Sequence, residues 1–214
     1  MLFRSSLFII ATVLLFAQAL PVSAESLRER KIDIYIQALS QKKDYEKIRK
    51  VLSTEIEKTS ENDSVRLMKL AQYGMENNAP DAAAEAYNKV LAINSGNMTA
   101  KRNLGTLLFA KRRYAPALEL LNDYNIRTGG DYISNFEQGE ILYTLKRGKQ
   151  KDAAIPYYQK ALEEAQFLGG GKDSEFIRAK SMFRLGQKEE GRALFADLEK
   201  RYPDDIFITT DYAG

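Results

Sequence analysis

The 214-residue sequence contains no cysteine, no histidine and no tryptophan. Each absence removes chemistry. Without cysteine there is no thiolate nucleophile, no disulfide framework and no thiol for lipid attachment. Without histidine there is no Ser-His-Asp triad and no imidazole-ligated metal. No cofactor and no metal are expected. A strong excess of charge of one sign is missing too: 32 Lys+Arg face 29 Asp+Glu, a formal net charge of +3. With no Lys/Arg block, that balance points away from nucleic acid as a partner. The missing cysteines fit an oxidising compartment.

Long hydrophobic runs are also absent, except at the start. Arg4 supplies a positive charge, and Leu7 to Leu20 is apolar apart from Thr12 and Gln18. The run is about 14 residues, short of the roughly 20 needed to span a bilayer. Pro21 interrupts it, and Val22-Ser23-Ala24 offers the small residues of a cleavage site. The pattern predicts a signal peptide cleaved after Ala24, with a retained anchor as the alternative. The expected location is therefore exported, periplasmic or secreted. No later segment has the length of a membrane span, so the mature chain is expected to carry none.

The remainder predicts helix after helix, because apolar residues recur at intervals of three and four and no stretch alternates like a strand. Separators are short and polar: Asn77-Asn78-Ala79-Pro80, Asn94-Ser95-Gly96, Lys146-Arg147-Gly148 and Gly169-Gly170-Gly171. Small residues reveal a period. Ala71, Gly105 and Gly139 lie 34 apart, as do Ala83 and Ala117, and Ala71 to Ala83 repeats the 12-residue step of Gly105 to Ala117. Tyr87, Leu121, Tyr158 and Phe195 follow four residues after Ala83, Ala117, Ala154 and Gly191. Val90, Tyr124, Ala161 and Leu198 follow after seven. Three-residue insertions near Lys149-Gln150-Lys151 and at Gly169-Gly170-Gly171 account for the drift.

Glycine inside a helix costs about 1 kcal/mol against alanine. Gly105, Gly139 and Gly191 accept that cost in matching register, which close approach of two helices explains. The alternative is an irregular helical bundle with scattered glycines.

On these residues the chain resembles the tetratricopeptide repeat, a 34-residue helix-turn-helix unit with the pattern W-x2-L-G-x2-Y, then A-x3-F, then P. Leu70-Ala71, Leu104-Gly105, Ala83 with Tyr87, Ala117 with Leu121, Ala154 with Tyr158, and Phe195 with Pro203 carry the likeness. Lys101, Asn135 and Glu175 stand where the family places tryptophan. The resemblance implies an all-α fold, a right-handed α-solenoid of about five antiparallel helix pairs. The expected division is signal peptide 1–24, divergent repeat 25–63, array 64–205 (64–97, 98–131, 132–168 and 172–205) and tail 206–214. The divergent repeat rests on Ile36, Ile48 and Leu52.

Helix punctuation agrees with that division. Pro80 and Pro116 suit the starts of second helices, Asp44 and Asp81 suit their positive ends, and Gly186 suits a stop.

The resemblance further implies that the first helices line a concave groove holding a partner protein or peptide. By register the lining is Met68, Lys69, Gln72 and Met75, then Arg102, Asn103, Thr106 and Phe109. Phe136, Glu137, Glu140 and Tyr143 follow, and last Phe176, Lys180, Phe183 and Arg184. Arg102, Lys180 and Arg184 are expected to meet a partner's carboxylates. Some relatives clamp a C-terminal carboxylate with Lys/Asn/Asn/Lys/Arg. Asn103 matches the middle asparagine, but Met68, Gln72, Ile133 and Glu137 occupy other clamp positions, so that clamp is absent.

The reading is a non-catalytic interaction scaffold of the cell envelope. Its rival is a glycan- or lipid-binding protein using Phe109, Phe136, Tyr143 and Phe183, and a third reading is a hydrolase using Glu137 and Glu140. Gly169 to Ser174 lacks the spacing of a phosphate loop. Terminal repeats need cover: Ile206, Phe207 and Ile208 are expected to fold back on the last pair, or a second copy covers it.

Overall fold

The computed structural model describes residues 24–145, 151–206 and 208. Residues 1–23 of the expected signal peptide, the Lys146-Arg147-Gly148 separator, nearly all of the first insertion and Phe207 lie outside them. The described residues form ten α-helices and one short 3-10 turn, with no strand among them. The helices are α1 Ala24–Gln41, α2 Tyr45–Lys58, α3 Ser64–Glu76, α4 Pro80–Ile93, α5 Met98–Ala110, α6 Tyr114–Thr128 and α7 Tyr132–Leu145. After the turn at Lys151–Ala154 come α8 Ile155–Leu168, α9 Lys172–Arg184 and α10 Lys188–Arg201. No helix among the described residues is long and apolar enough to cross a membrane.

The chain divides into two compact units, residues 1–51 and 52–214. In the first, Ile36, Leu39 and Ile48 are buried. In the second, α3/α4, α5/α6, α7/α8 and α9/α10 pack as pairs, and each pair meets the next.

Local chemistry sets the helix ends. The Asp63 side chain caps α3 by accepting from the Arg66 amide at 2.8 Å, and Asn97 caps α5 through the Ala100 amide at 2.9 Å. Pro80 opens α4, where a missing N–H costs nothing. The turn inside a pair recurs: Lys43, Asn78, Arg112 and Gly186 all have left-handed φ. At each, the next residue's amide reaches back five positions, as Ala79 to Gly74 O and Arg113 to Leu108 O, both at 2.8 Å. This closure satisfies carbonyls left open at a helix end and reverses the chain.

The small residues act as read. A Cβ on Gly139 would stand 2.8 Å from Tyr158 Cε1, and one on Gly105 the same distance from Leu121. Thus Leu121 and Tyr158, each four places after a small residue (Ala117 and Ala154), press onto the bare backbone of the first helix of their pair. Ala71, Ala83, Ala117, Ala154, Tyr87, Leu121 and Tyr158 are all buried.

At the far end, Ile208 is 2% exposed and joins Ala179, Phe195 and Leu198 in one apolar cluster. Lys172 on α9 holds Asp205 at 2.7 Å. Folding back therefore describes Ile208, whereas Ile206 stays 68% exposed.

Candidate functional site

Helices α3, α5, α7 and α9 are the first members of their pairs, and α7 packs against both α5 and α9. Three polar braces cross those junctions. Arg102 on α5 grips Asp131 with two charge-assisted hydrogen bonds, at 3.0 and 3.2 Å. Asp131 Oδ1 also accepts from the Ile133 and Ser134 amides, capping α7. One turn along α5, Thr106 donates to Glu137 at 2.8 Å. Arg184 on α9 grips both oxygens of Glu140, at 2.6 and 2.8 Å, and lies 4.4 Å from the Tyr143 ring centroid. Glu140 also accepts the Tyr158 hydroxyl at 2.8 Å.

The electrostatics follow from this pairing. Burial raises the Asp131 carboxyl, but its bonds from Arg102 and Ser134 outweigh that and hold it below the ordinary range. Burial disfavours the Arg102 cation, yet Asp131 more than compensates and raises it. Glu137 has no cation of its own; burial pushes its carboxyl up to about 7, against the Thr106 hydrogen bond and Arg102. Hydrogen bonding to Glu140 raises Arg184, and burial followed by Glu140 raises the Tyr158 hydroxyl.

Helix α7 is the polar centre of the array. Ser134, Asn135, Glu137 and Gln138 are all buried. Gln138 takes a hydrogen bond from Asn125 at 2.7 Å and gives one to Asn122 at 3.1 Å. All five residues of the run Ser134-Asn135-Phe136-Glu137-Gln138 are buried.

The expected groove residues divide accordingly. On α3, Lys69 and Gln72 are exposed and Met68 is half-buried, while Met75 is exposed. The Lys69 ammonium lies 5.9 Å from the Tyr73 ring and Gln72 donates to Glu76 at 2.7 Å. On α5, Asn103 donates to the Tyr87 hydroxyl at 2.9 Å, and half-buried Phe109 lies 6.1 Å from Tyr114. On α9, Lys180 sits 5.8 Å from the Phe136 ring and 5.3 Å from the Phe176 ring.

Several expectations need correction. Phe136 is only 7% exposed and packs on Tyr158 at 5.9 Å, so it is core rather than lining. Phe176 and Phe183 both press on Phe195, each at 5.7 Å, because Gly191 admits Phe183 against the backbone of α10. Arg102 and Arg184 already hold Asp131 and Glu140, which the packing of successive first helices brings within reach. Thr106 and Glu140 likewise belong to these braces. The Gly169 to Gly171 turn leads into α9, where Ser174 donates to Gly169 O at 3.1 Å and Gly171 O at 2.9 Å.

Sequence reasoning missed a cleft of about 460 Å3 lined by Gly130, Asp131, Tyr132, Glu163, Glu164, Phe167 and Leu168. Its only signal is Phe167-Leu168 standing directly before the glycine run. Among the described residues no cluster of carboxylates is arranged to hold a metal ion.

Comparison with known proteins places this geometry. Models of the tetratricopeptide repeat match residues 75–132 and 173–205. No curated protein sequence matches the chain. Among solved structures, TTC0263, a thermophilic TPR protein in Thermus thermophilus, is similar at 16% identity and a TM-score of 0.56, over 86% of this chain and 97% of that one. MamA 41-end from Desulfovibrio magneticus is similar at 17% identity and 0.56, over 82% and 97%. Another MamA protein reaches 0.54 at 16% identity, over 80% and 92%. At such identities the likeness speaks of fold.

Proposed function

We propose, since this chain is a tetratricopeptide-repeat protein, that it is a non-catalytic scaffold holding a partner polypeptide along the face its first helices share. The observation that carries this reading is the set of braces across α5, α7 and α9, Arg102–Asp131, Thr106–Glu137 and Arg184–Glu140. They fix the first helices before a partner arrives, which lowers the ordering cost of binding. Beside them α3 offers Lys69, Gln72 and Met75 to solvent, a mixture of charge, amide and adaptable thioether.

The setting we propose is an exported or cell-envelope complex, supported by the Arg4 and Leu7–Leu20 pattern. The rival reading, glycan or lipid binding, loses Phe136 to the core, has Phe183 packed against Phe195, and keeps Phe109 and Tyr143.

The test compares the full chain with a Lys69→Ala, Gln72→Ala, Met75→Ala variant as bait in envelope extract. These side chains lie outside the core, so the variant keeps its helical signal and melting point. The expected result is one polypeptide retained by the wild type and lost by the variant, without added glycan or lipid. Equal capture by both baits overturns the reading. Fractionation of cells expressing the full chain tests export, and retention with the cytoplasmic fraction overturns it.

A further inference from the structure

We propose that the cleft between the α6–α7 turn and the end of α8 is a second docking site, for a polypeptide segment carrying a basic side chain beside an apolar one. Two features of one place support this. The first is apolar: Phe167 is 92% exposed and Leu168 follows it into solvent at the rim of the 460 Å3 cleft, with half-buried Tyr132 opposite. A phenylalanine left in water forgoes about 1.5–3 kcal/mol of burial that a partner can supply.

The second is electrostatic. The lining holds three carboxylates, Asp131, Glu163 and Glu164, and no cation. Asp131 is matched by Arg102. Glu164 takes one hydrogen bond from Asn135 at 3.2 Å. Burial raises the Glu164 carboxyl, and the Asp131 and Glu163 charges push it in the same direction. Lys160, one turn earlier, opposes this, but its ammonium is engaged by the Gly129 carbonyl. The cleft is thus short of positive charge. An ammonium or guanidinium beside Glu163 and Glu164 supplies it, while an adjacent leucine or phenylalanine covers Phe167 and Leu168.

The acidic rim disfavours an anionic lipid surface. A second copy of this chain is the other occupant to test. The cleft shares Asp131 with the Arg102 brace, but its test turns on Phe167, Leu168, Glu163 and Glu164, so its failure and the failure of the proposed function are distinguishable.

The test uses the full chain and three short fluorescein-labelled probes: a leucine/lysine peptide, a leucine/glutamate peptide and a serine/lysine peptide. Fluorescence anisotropy is expected to show binding of the leucine/lysine probe alone. Phe167→Ser with Leu168→Ser weakens it about tenfold, as loss of an aromatic anchor does. Glu163→Gln with Glu164→Gln weakens it severalfold and flattens its salt dependence. The Lys69, Gln72, Met75 variant leaves it unchanged. Equal affinity of wild type and the Phe167, Leu168 variant overturns the proposal, as does equal binding of the leucine/glutamate probe. So does concentration-dependent dimerisation of the wild type, by light scattering, that the Phe167, Leu168 variant abolishes. That outcome assigns the patch to a second copy.

Discussion

Thr106 on α5 donates its hydroxyl hydrogen to Glu137 on α7 at 2.8 Å, and Glu137 is 5% exposed. A carboxyl so placed favours its neutral form, because burial penalises the charge and the single hydroxyl only partly offsets it. The folded-state value of about 7 stands above the ordinary 4.5, so the folded chain holds a proton that the unfolded chain releases. The stabilisation is full below pH 4.5 and lost as pH rises through about 7.

Denaturant unfolding at pH 5 and pH 8 should show this. Glu137 alone accounts for a loss of up to about 3 kcal/mol. Glu137→Gln should remove that slope while keeping an acceptor for Thr106, and should melt higher than wild type at pH 8. A slope unchanged in the variant would place the titration elsewhere. Asp131 acts in the opposite sense: its carboxyl is held down, so its contribution is present above the ordinary value and fades as pH falls through the lowered one.

Gly139→Ala tests the helix crossing. Alanine is the better helix former by about 1 kcal/mol, yet its Cβ would stand 2.8 Å from the buried Tyr158 ring. Overpacking of that kind costs about 1–3 kcal/mol, so the melting temperature should fall. Gly170→Ala, where the nearest atom lies 3.9 Å away, should change it little.

Arg112→Gly should stabilise. Arg112 holds left-handed φ of 56° in the turn between α5 and α6, a conformation costing a residue with a Cβ about 1 kcal/mol. Gly186 occupies the matching place between α9 and α10. A higher denaturation midpoint with unchanged slope is the expected reading; a lower midpoint would mean the arginine side chain matters there.

Ile208→Ala should cost about 2–4 kcal/mol, since it opens a cavity over Phe195 and Leu198. Removal of residues 206–214 should also lower solubility by uncovering that cluster. Light scattering and thermal melting read both effects, and unchanged behaviour would show that Ile208 covers nothing of consequence.

Glu140→Ala should destabilise by about 1–3 kcal/mol. It strips the acceptor from the Tyr158 hydroxyl and both bonds from Arg184. A double-mutant cycle with Arg184→Ala measures how much belongs to the pair.

The order of residues alone determined the helices and their phase. Glycine at positions 105 and 139 marks where the helices approach closely, and an apolar residue four after the second small one marks what presses there. Those features depend on local spacing and on sterics within one pair, so a period in the chain exposes them. Tertiary structure decided which polar side chains would be spent on one another. Arg102 and Asp131 lie 29 residues apart, and Arg184 and Glu140 lie 44 apart. Nothing in the local pattern distinguishes an arginine awaiting a partner from one already paired across a helix junction. The same holds for Phe136, whose place on a first helix suggested lining until α8 and α9 closed over it. Stacking of successive pairs made that choice, because it sets which faces lose water, and it left Phe167 and Leu168 outside.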